Sequence, residues 1–378
     1  MSDLFIPGQT IGIIGGGHQA RLLTLSAKSM GFHVGILDPD EWCSASEIAD
    51  WHIVADTNRQ SALMNMAAKC DLLTFSNENI NTEFISNISD FVTISQSLEL
   101  IEISQNRVFA RSFLENSNIN IAPYVLISEF GDIEDSVDAI GFPCVLKSSR
   151  YMWEGSAQQY VLNNMSDIRN CLPLLQEDTC ILEAQITDKI DISVTIVGNG
   201  NGDYVKFPVV ETVYKDDGSF VRATVPASIP SEVSEEAQRI AEELAMILSV
   251  QGLLTVNLFV TSNGLIYVNS ISSGPHCSGY YSMEASNLSQ FDAHIRGIAG
   301  WKLPDISLYT PAITLNIAGN QSTETISCIP FNSNWYHHYY GNTAKEQADS
   351  VGHVTVLTED VGEELQKIKK TRIWDDSF

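Results

Sequence analysis

Two groups of residues in this chain have types and spacing that could do chemistry. The first is Gly15-Gly16-Gly17-His18-Gln19-Ala20, with Asp38 closing the next apolar run. Glycines in such a turn let a phosphate approach the backbone at a helix N-terminus, and an acid at the following strand end can bind ribose hydroxyls. Taken alone, this pattern suggests an NAD-dependent oxidoreductase, although any strand-to-helix turn favours glycine. The second is a hairpin: Val256 to Val260, the turn Thr261-Ser262-Asn263-Gly264, and Leu265 to Ser270. It leads into Gly274-Pro275-His276-Cys277-Ser278-Gly279. Seven cysteines are scattered without CxxC spacing. They fit free thiols in a reducing cytoplasm better than a disulfide framework or a zinc site.

The elements that must position these groups follow from periodicity. Thr10 to Ile14 is a buried-strand run, Gln19 to Met30 has helical spacing, and Val34 to Asp38 is the next strand. This start predicts a parallel sheet with right-handed crossovers. His52 to Ala55, a helix over about 60–69 and the strand Asp71 to Phe75 continue it. From about residue 100 the pattern changes to short apolar strands, Phe142 to Lys147 and Cys180 to Ala184. Ile192 to Val197 and Tyr204 to Val210 flank a Gly/Asn-rich turn and read as an antiparallel hairpin. Ser234 to Leu248 is an amphipathic helix whose apolar face holds Ala237, Ile240, Ala241, Leu244 and Leu248. After Trp301-Lys302-Leu303-Pro304 the chain turns strand-rich. A last helix over 361–370 has acids early and lysines late, as the helix dipole favours. The expected division is 1–100, 101–300 and 301–378.

At 378 residues the chain is long enough for two or three cores. No apolar run approaches the roughly 20 residues of a membrane span, and without a charged region followed by an apolar stretch near residue 1 no secretory signal is expected. A formal net charge of -26 argues against nucleic-acid binding, which needs a basic face. It also repels anionic ligands unless a local basic cluster or a cation reverses the field. The plainer reading is a solvated acidic surface that aids solubility.

The ordered set Gly15-Gly16-Gly17, Leu37-Asp38-Pro39, Glu78-Asn79, Arg107, Lys147, Ile181-Leu182-Glu183 and Pro275-His276-Cys277-Ser278-Gly279 resembles the carboxyaminoimidazole ribonucleotide synthetase (PurK) family of ATP-grasp ligases. Ser289 to Arg296 and Gly352 to Leu357 extend the resemblance over nearly the whole chain. It implies an α/β protein with an ATP-grasp fold, an N-terminal Rossmann-like parallel-sheet domain and a small strand-rich C-terminal domain. The implied reaction is ATP- and bicarbonate-dependent carboxylation of aminoimidazole ribonucleotide, in a cytoplasmic homodimer. ATP or ADP would be held by Arg107, by Lys147 at the phosphates, by the hinge Glu183-Ala184-Gln185-Ile186 at adenine, by Asp191 at the ribose and by Asn269. Without the family, Lys147 would read as a surface lysine after a buried strand. The substrate side would be Gly15, Gly16, Gly17, Glu78, Asn79, Trp153, Glu154, His276 and Ser278, and the family assigns the glycine turn to it rather than to NAD.

The departures cluster. Members of the family hold magnesium with one Glu on each hairpin strand, and the matching positions here are Asn257 and Ser270. Three glycines of the phosphate-covering loop have become Tyr151, Met152 and Ala157, and its lysine is Ser156. Such a loop needs bare backbone to approach oxygens and to hinge. Tyr214 replaces a His, Gly274 an Arg, Asn342 a Lys, and Ala348-Asp349-Ser350 a basic stretch. Ser76-Asn77-Glu78 stands for Glu-Phe-Glu. Losing two hard oxygen ligands removes most of what a magnesium pair needs. The expectation is therefore a family member weak or inactive in the family reaction, with no metal bound at the hairpin. The alternatives are a working synthetase with relocated ligands and a non-catalytic binding or regulatory paralogue.

Overall fold

The structure is a computed structural model, described over residues 4–76, 80–150, 159–177, 179–215, 218–341 and 350–374. Three sheets organise it. The first is a five-stranded parallel sheet in the order Trp51–Val54, His33–Asp38, Thr10–Ile14, Leu72–Phe75, Thr93–Ile94. Its central strands are apolar runs because both faces are covered by helices. Ile11, Ile13 and Ile14 are wholly buried. Helix His18–Ser29 covers one face together with Phe291, Ile295 and Ile298 of helix Gln290–Ile298, and helix Gln60–Ala67 covers the other.

The second sheet is small and antiparallel, in the order Tyr124–Ile127, Cys180–Ala184, Cys144–Ser148, Gln159–Leu162. Alternation along its strands sends Cys144, Leu146, Cys180 and Leu182 into a core with Ile133 and Val137 of helix Phe130–Ile140. Lys147 and Glu183 belong to the opposite face.

The third sheet is antiparallel and nine-stranded. Its path is Ile266–Ser273, Gln251–Thr261, Lys189–Asn199, Val210–Tyr214, Phe220–Val225, Ala312–Ile317, Gly352–Leu357, Trp335–Tyr339, with Tyr204–Lys206 pairing beside Lys189–Asn199. One face of its first strands packs Ile192, Val194, Val256 and Leu258 under helix Ser231–Ile247. The apolar face read from the sequence, Ala237, Ile240, Ala241 and Leu244, is the buried face of that helix. The helix begins three residues before the expected start, directly after Pro230. Among the described residues, the strands beyond residue 301 form no sheet of their own. Ala312–Ile317 pairs with Phe220–Val225 and extends the large sheet, while helix Val361–Thr371 and Trp374 cover its end.

One histidine joins the first sheet to the third. His294 Nδ1 accepts the Leu253 amide hydrogen at 3.2 Å, so Nε2 carries the ring hydrogen and donates to Thr74 Oγ1 at 2.7 Å. Thr74 donates onward to Gln96 Oε1 at 2.8 Å, and Gln96 Nε2 reaches Ser273 Oγ at 3.0 Å. Beside it, Ser26 Oγ donates to Asp292. No disulfide joins any of the seven cysteines.

Candidate functional site

Side chains of the small and large sheets meet around Glu183, where charged groups converge. Asn106 caps helix Arg107–Asn116 by accepting from the Val108 and Phe109 amides. One turn in, Arg111 is buried and its guanidinium grips Glu183 Oε1 at 2.5 Å while Nη1 reaches the Val268 carbonyl at 3.3 Å. Lys147 Nζ donates to Glu183 Oε2 at 2.7 Å and lies 3.5 Å from Asn269 Oδ1. Burial alone would raise the Glu183 pKa, but Lys147 and Arg111 together hold it down to about 2. Burial lowers the Lys147 pKa, against the pull of Glu183. With all three ionised, one carboxylate is shared by two cations, so the group keeps a net positive charge.

The face of the large sheet opposite helix Ser231–Ile247 carries the polar alternates of its strands. Asn257 and Ser270 are directly opposed, and Ser193 stands opposite Asn257 on the next strand. Ser193 Oγ donates to Asn257 Oδ1 at 2.5 Å, and Asn257 Nδ2 donates to Ser270 Oγ at 3.0 Å. The register slips between Asn257 and Leu258, leaving Asn269 as the extra residue of a bulge. A bulge re-aims its side chain, and Asn269 thereby reaches Lys147. Two residues along from Ser193, Asp191 takes both its oxygens to Lys189 Nζ at 2.9 and 3.0 Å, with that ammonium 3.4 Å from the centre of the Phe259 ring.

Other residues singled out from the sequence are placed as follows. Arg107 Nη1 donates to the Ser148 and Arg150 carbonyls at 2.8 and 3.2 Å, at the end of the Lys147 strand. In the hinge, the Ala184 and Gln185 amides donate to the Pro123 and Pro143 carbonyls, and Ile186 follows half-buried. Glu183 thus turns its side chain into the charged group, a role the sequence reading did not give it. Glu78, Asn79, Trp153, Glu154, Ser156, Asn342 and Asp349 lie outside the described residues, as do Tyr151, Met152, Ala157 and Ala348.

A second convergence lies at the carboxyl ends of the parallel strands. The strand order reverses between Thr10–Ile14 and Leu72–Phe75, the place where open α/β sheets present a ligand crevice. Gly15, at φ +91°, turns the chain there. A side chain at Gly16 would place Cβ 2.2 Å from Cys43 Sγ, so only glycine fits. The Gly16 amide donates to Asp38 Oδ2 at 2.6 Å and the Asp40 amide to Oδ1 at 2.9 Å. Asp38 therefore braces the glycine turn. The segment from Gly274 to Ser278 comes alongside, with a Gly274 Cβ position 3.6 Å from the Phe75 carbonyl. His276 Nδ1 lies 2.7 Å from Ser278 Oγ, and Gln290 clips the backbone of His276 at both its amide and its carbonyl. Burial lowers the His276 pKa to about 4.

The sequence reading missed three parts of this site. Arg111 could have been found from its i+4 spacing to Arg107, whereas Ser193 carried no signal beyond strand alternation. The third is a ring stack: His18 on Tyr340, then Tyr280, His353 and His338, with neighbouring centroids 4.6 Å apart at three contacts. His18 Nε2 meets Tyr280 Oη at 3.0 Å, Tyr340 Oη meets His353 Nδ1 at 2.6 Å, and His338 Nε2 meets Glu284 at 2.7 Å. Its members come from all three parts of the chain.

Comparison with known proteins agrees with this architecture. Residues 8–105 match the ribonucleotide synthetase preATP-grasp domain and residues 112–291 the ATP-grasp domain. The chain is 32% identical over 362 residues to an N5-carboxyaminoimidazole ribonucleotide synthase of Staphylococcus aureus (strain MRSA252), covering 95% of each chain. It superposes with a TM-score of 0.96 on an ADP complex of purK, N5-carboxyaminoimidazole ribonucleotide synthetase, at 31% identity and 100% coverage of both chains. The corresponding Aspergillus clavatus synthase, in complex with ADP and 5-aminoimidazole ribonucleotide, gives a TM-score of 0.90 at 26% identity, covering 97% of this chain and 99% of the other.

Proposed function

The chain belongs to the N5-carboxyaminoimidazole ribonucleotide synthase family of ATP-grasp proteins, and on that premise we propose that it binds a nucleotide but is weak or inactive in carboxylating aminoimidazole ribonucleotide. The nucleotide, ATP or ADP, lies between the small and large sheets, against Arg107, Lys147, the hinge from Glu183 to Ile186, Asp191 and Asn269. The substrate side is the crevice at Gly15, Gly16, Gly17, His276 and Ser278, to which the family resemblance adds Glu78, Asn79, Trp153 and Glu154. We infer a division near residues 100 and 300 and a cytoplasmic homodimer, both from the family resemblance.

One observation carries the reading: Ser193, Asn257 and Ser270 form a neutral, hydrogen-bonded row where the family needs two carboxylates. The one side-chain carbonyl oxygen in that row already accepts a hydrogen bond, and neutral oxygens seldom displace the water around magnesium. These residues do not fit a resident magnesium pair. Among the described residues no cluster of three or more His, Cys, Asp or Glu side chains could hold a metal. The second reading, a working synthetase, draws support from the complete Lys147–Glu183–Arg111 group. A single assay separates the two. Purified protein given ATP, bicarbonate and aminoimidazole ribonucleotide is expected to show little bicarbonate-dependent ATP hydrolysis. Robust turnover proportional to protein, and abolished by chelating magnesium, would establish the synthetase instead.

A further inference from the structure

We propose that this site takes nucleotide phosphates directly onto the hairpin, with no divalent ion between them. The inference deepens the nucleotide-binding reading and rests on it. A carboxylate only accepts hydrogen bonds, so a pair of them can meet a phosphate only through a cation. Here the polarity is reversed. The Asn257 amide oxygen is already taken by Ser193, which is 1% exposed and sits behind the row. Asn257 Nδ2 gives one of its two hydrogens to Ser270 Oγ and keeps the other. Ser270, having accepted, keeps its own hydroxyl hydrogen. The half-buried Asn257 and Ser270 are therefore left with two hydrogens to donate, the complement of phosphate oxygens.

The charge nearby has the matching sign. Asn269, next to Ser270, places its Oδ1 3.5 Å from Lys147 Nζ, which ties the hairpin to the net positive group of Lys147, Arg111 and Glu183. In a protein of formal charge -26 this is a local reversal of the field. A divalent ion entering here would meet hydrogen-bond donors and a positive group. It would also withdraw phosphate oxygens from those donors. Metal-free nucleotide should thus bind at least as well as its magnesium complex.

Equilibrium dialysis of the full chain against ADP, once with excess chelator and once with millimolar magnesium, tests this. The expected result is equal affinity, or affinity up to about tenfold tighter with chelator. Binding at least about tenfold tighter with magnesium would overturn the inference and leave the nucleotide reading standing. Absence of binding in both conditions would overturn the nucleotide reading and the inference with it. Two variants locate the contact. Ser270→Ala should weaken metal-free ADP binding about fivefold. Asn257→Glu with Ser270→Glu should weaken it by more than about tenfold, with magnesium restoring part of the loss. Thermal unfolding of both variants reports that they fold. If folded variants bind metal-free ADP as the parent does, the phosphates do not meet the hairpin and the proposal fails.

Discussion

Glu183 holds more of this site together than any other single residue. It is 3% exposed and accepts from Arg111 and Lys147, which together hold its pKa down against the effect of burial. Changing Glu183→Gln leaves two cations in a desolvated place without a counter-charge. Lys147 can relieve its share by losing a proton, but a guanidinium cannot. The expected cost is about 3–5 kcal/mol of folding stability, the usual penalty for removing one partner of a buried ion pair. Urea denaturation at neutral pH measures it, and a loss under about 1 kcal/mol would show that Arg111 finds other partners. The sequence pointed to position 183 through the hinge backbone. It gave no hint of the side chain's two partners, which lie 36 and 72 residues away.

At the scale of elements, the hairpin Gln251–Thr261 and Ile266–Ser273 was legible from its turn and alternation, including the opposition of Asn257 and Ser270. Restoring its carboxylates is not expected to restore the family site. Gly274, just beyond the second strand, has φ +92°, a conformation costly for any side chain, and the family's arginine belongs at that position. The double substitution Asn257→Glu plus Ser270→Glu is therefore expected to leave bicarbonate-dependent turnover at background, because groups that act as a unit gain little from partial repair. An assay showing turnover well above the parent protein would mean that the hairpin alone limits the chemistry. The C-terminal strands were recognisable as strands, yet their attachment was not. Nothing local to Ala312–Ile317 says that it pairs with Phe220–Val225 across some ninety residues.

Over the whole molecule, a pH dependence of stability is expected from histidines buried in neutral form. His294 and His353 are fully buried. Burial lowers the first to about 3, and burial, His338 and His18 hold the second well below its ordinary value of 6.5. A group whose folded pKa is depressed binds more protons when unfolded, so its stabilisation is complete above pH 6.5 and is lost as pH falls. Each such histidine removes about 1.4 kcal/mol per pH unit below 6.5. Glu183 acts later, since its stabilisation is lost only as pH falls from 4.5 towards about 2. Denaturation midpoints are expected to drop clearly between pH 7 and about pH 5, before carboxylates protonate. A flat profile over that interval would mean that these rings are solvated.

What the sequence determined by itself is local and periodic. The strand–glycine–helix start, the hairpin with its neutral pair, and the apolar face of Ser231–Ile247 all follow from spacings of two and between three and four residues. Motif order over the whole chain then identified the lineage. The tertiary structure decided what faces what. Ser193 and Asn257 are 64 residues apart, His18 and Tyr280 are 262 apart, and Thr74 and His294 are 220 apart. No spacing rule connects such pairs, because register and sheet order bring them together only after each strand has chosen its neighbours. That is why the loss of two carboxylates was readable from the chain, while the reversed hydrogen-bond polarity that replaces them depended on Ser193 from a third strand.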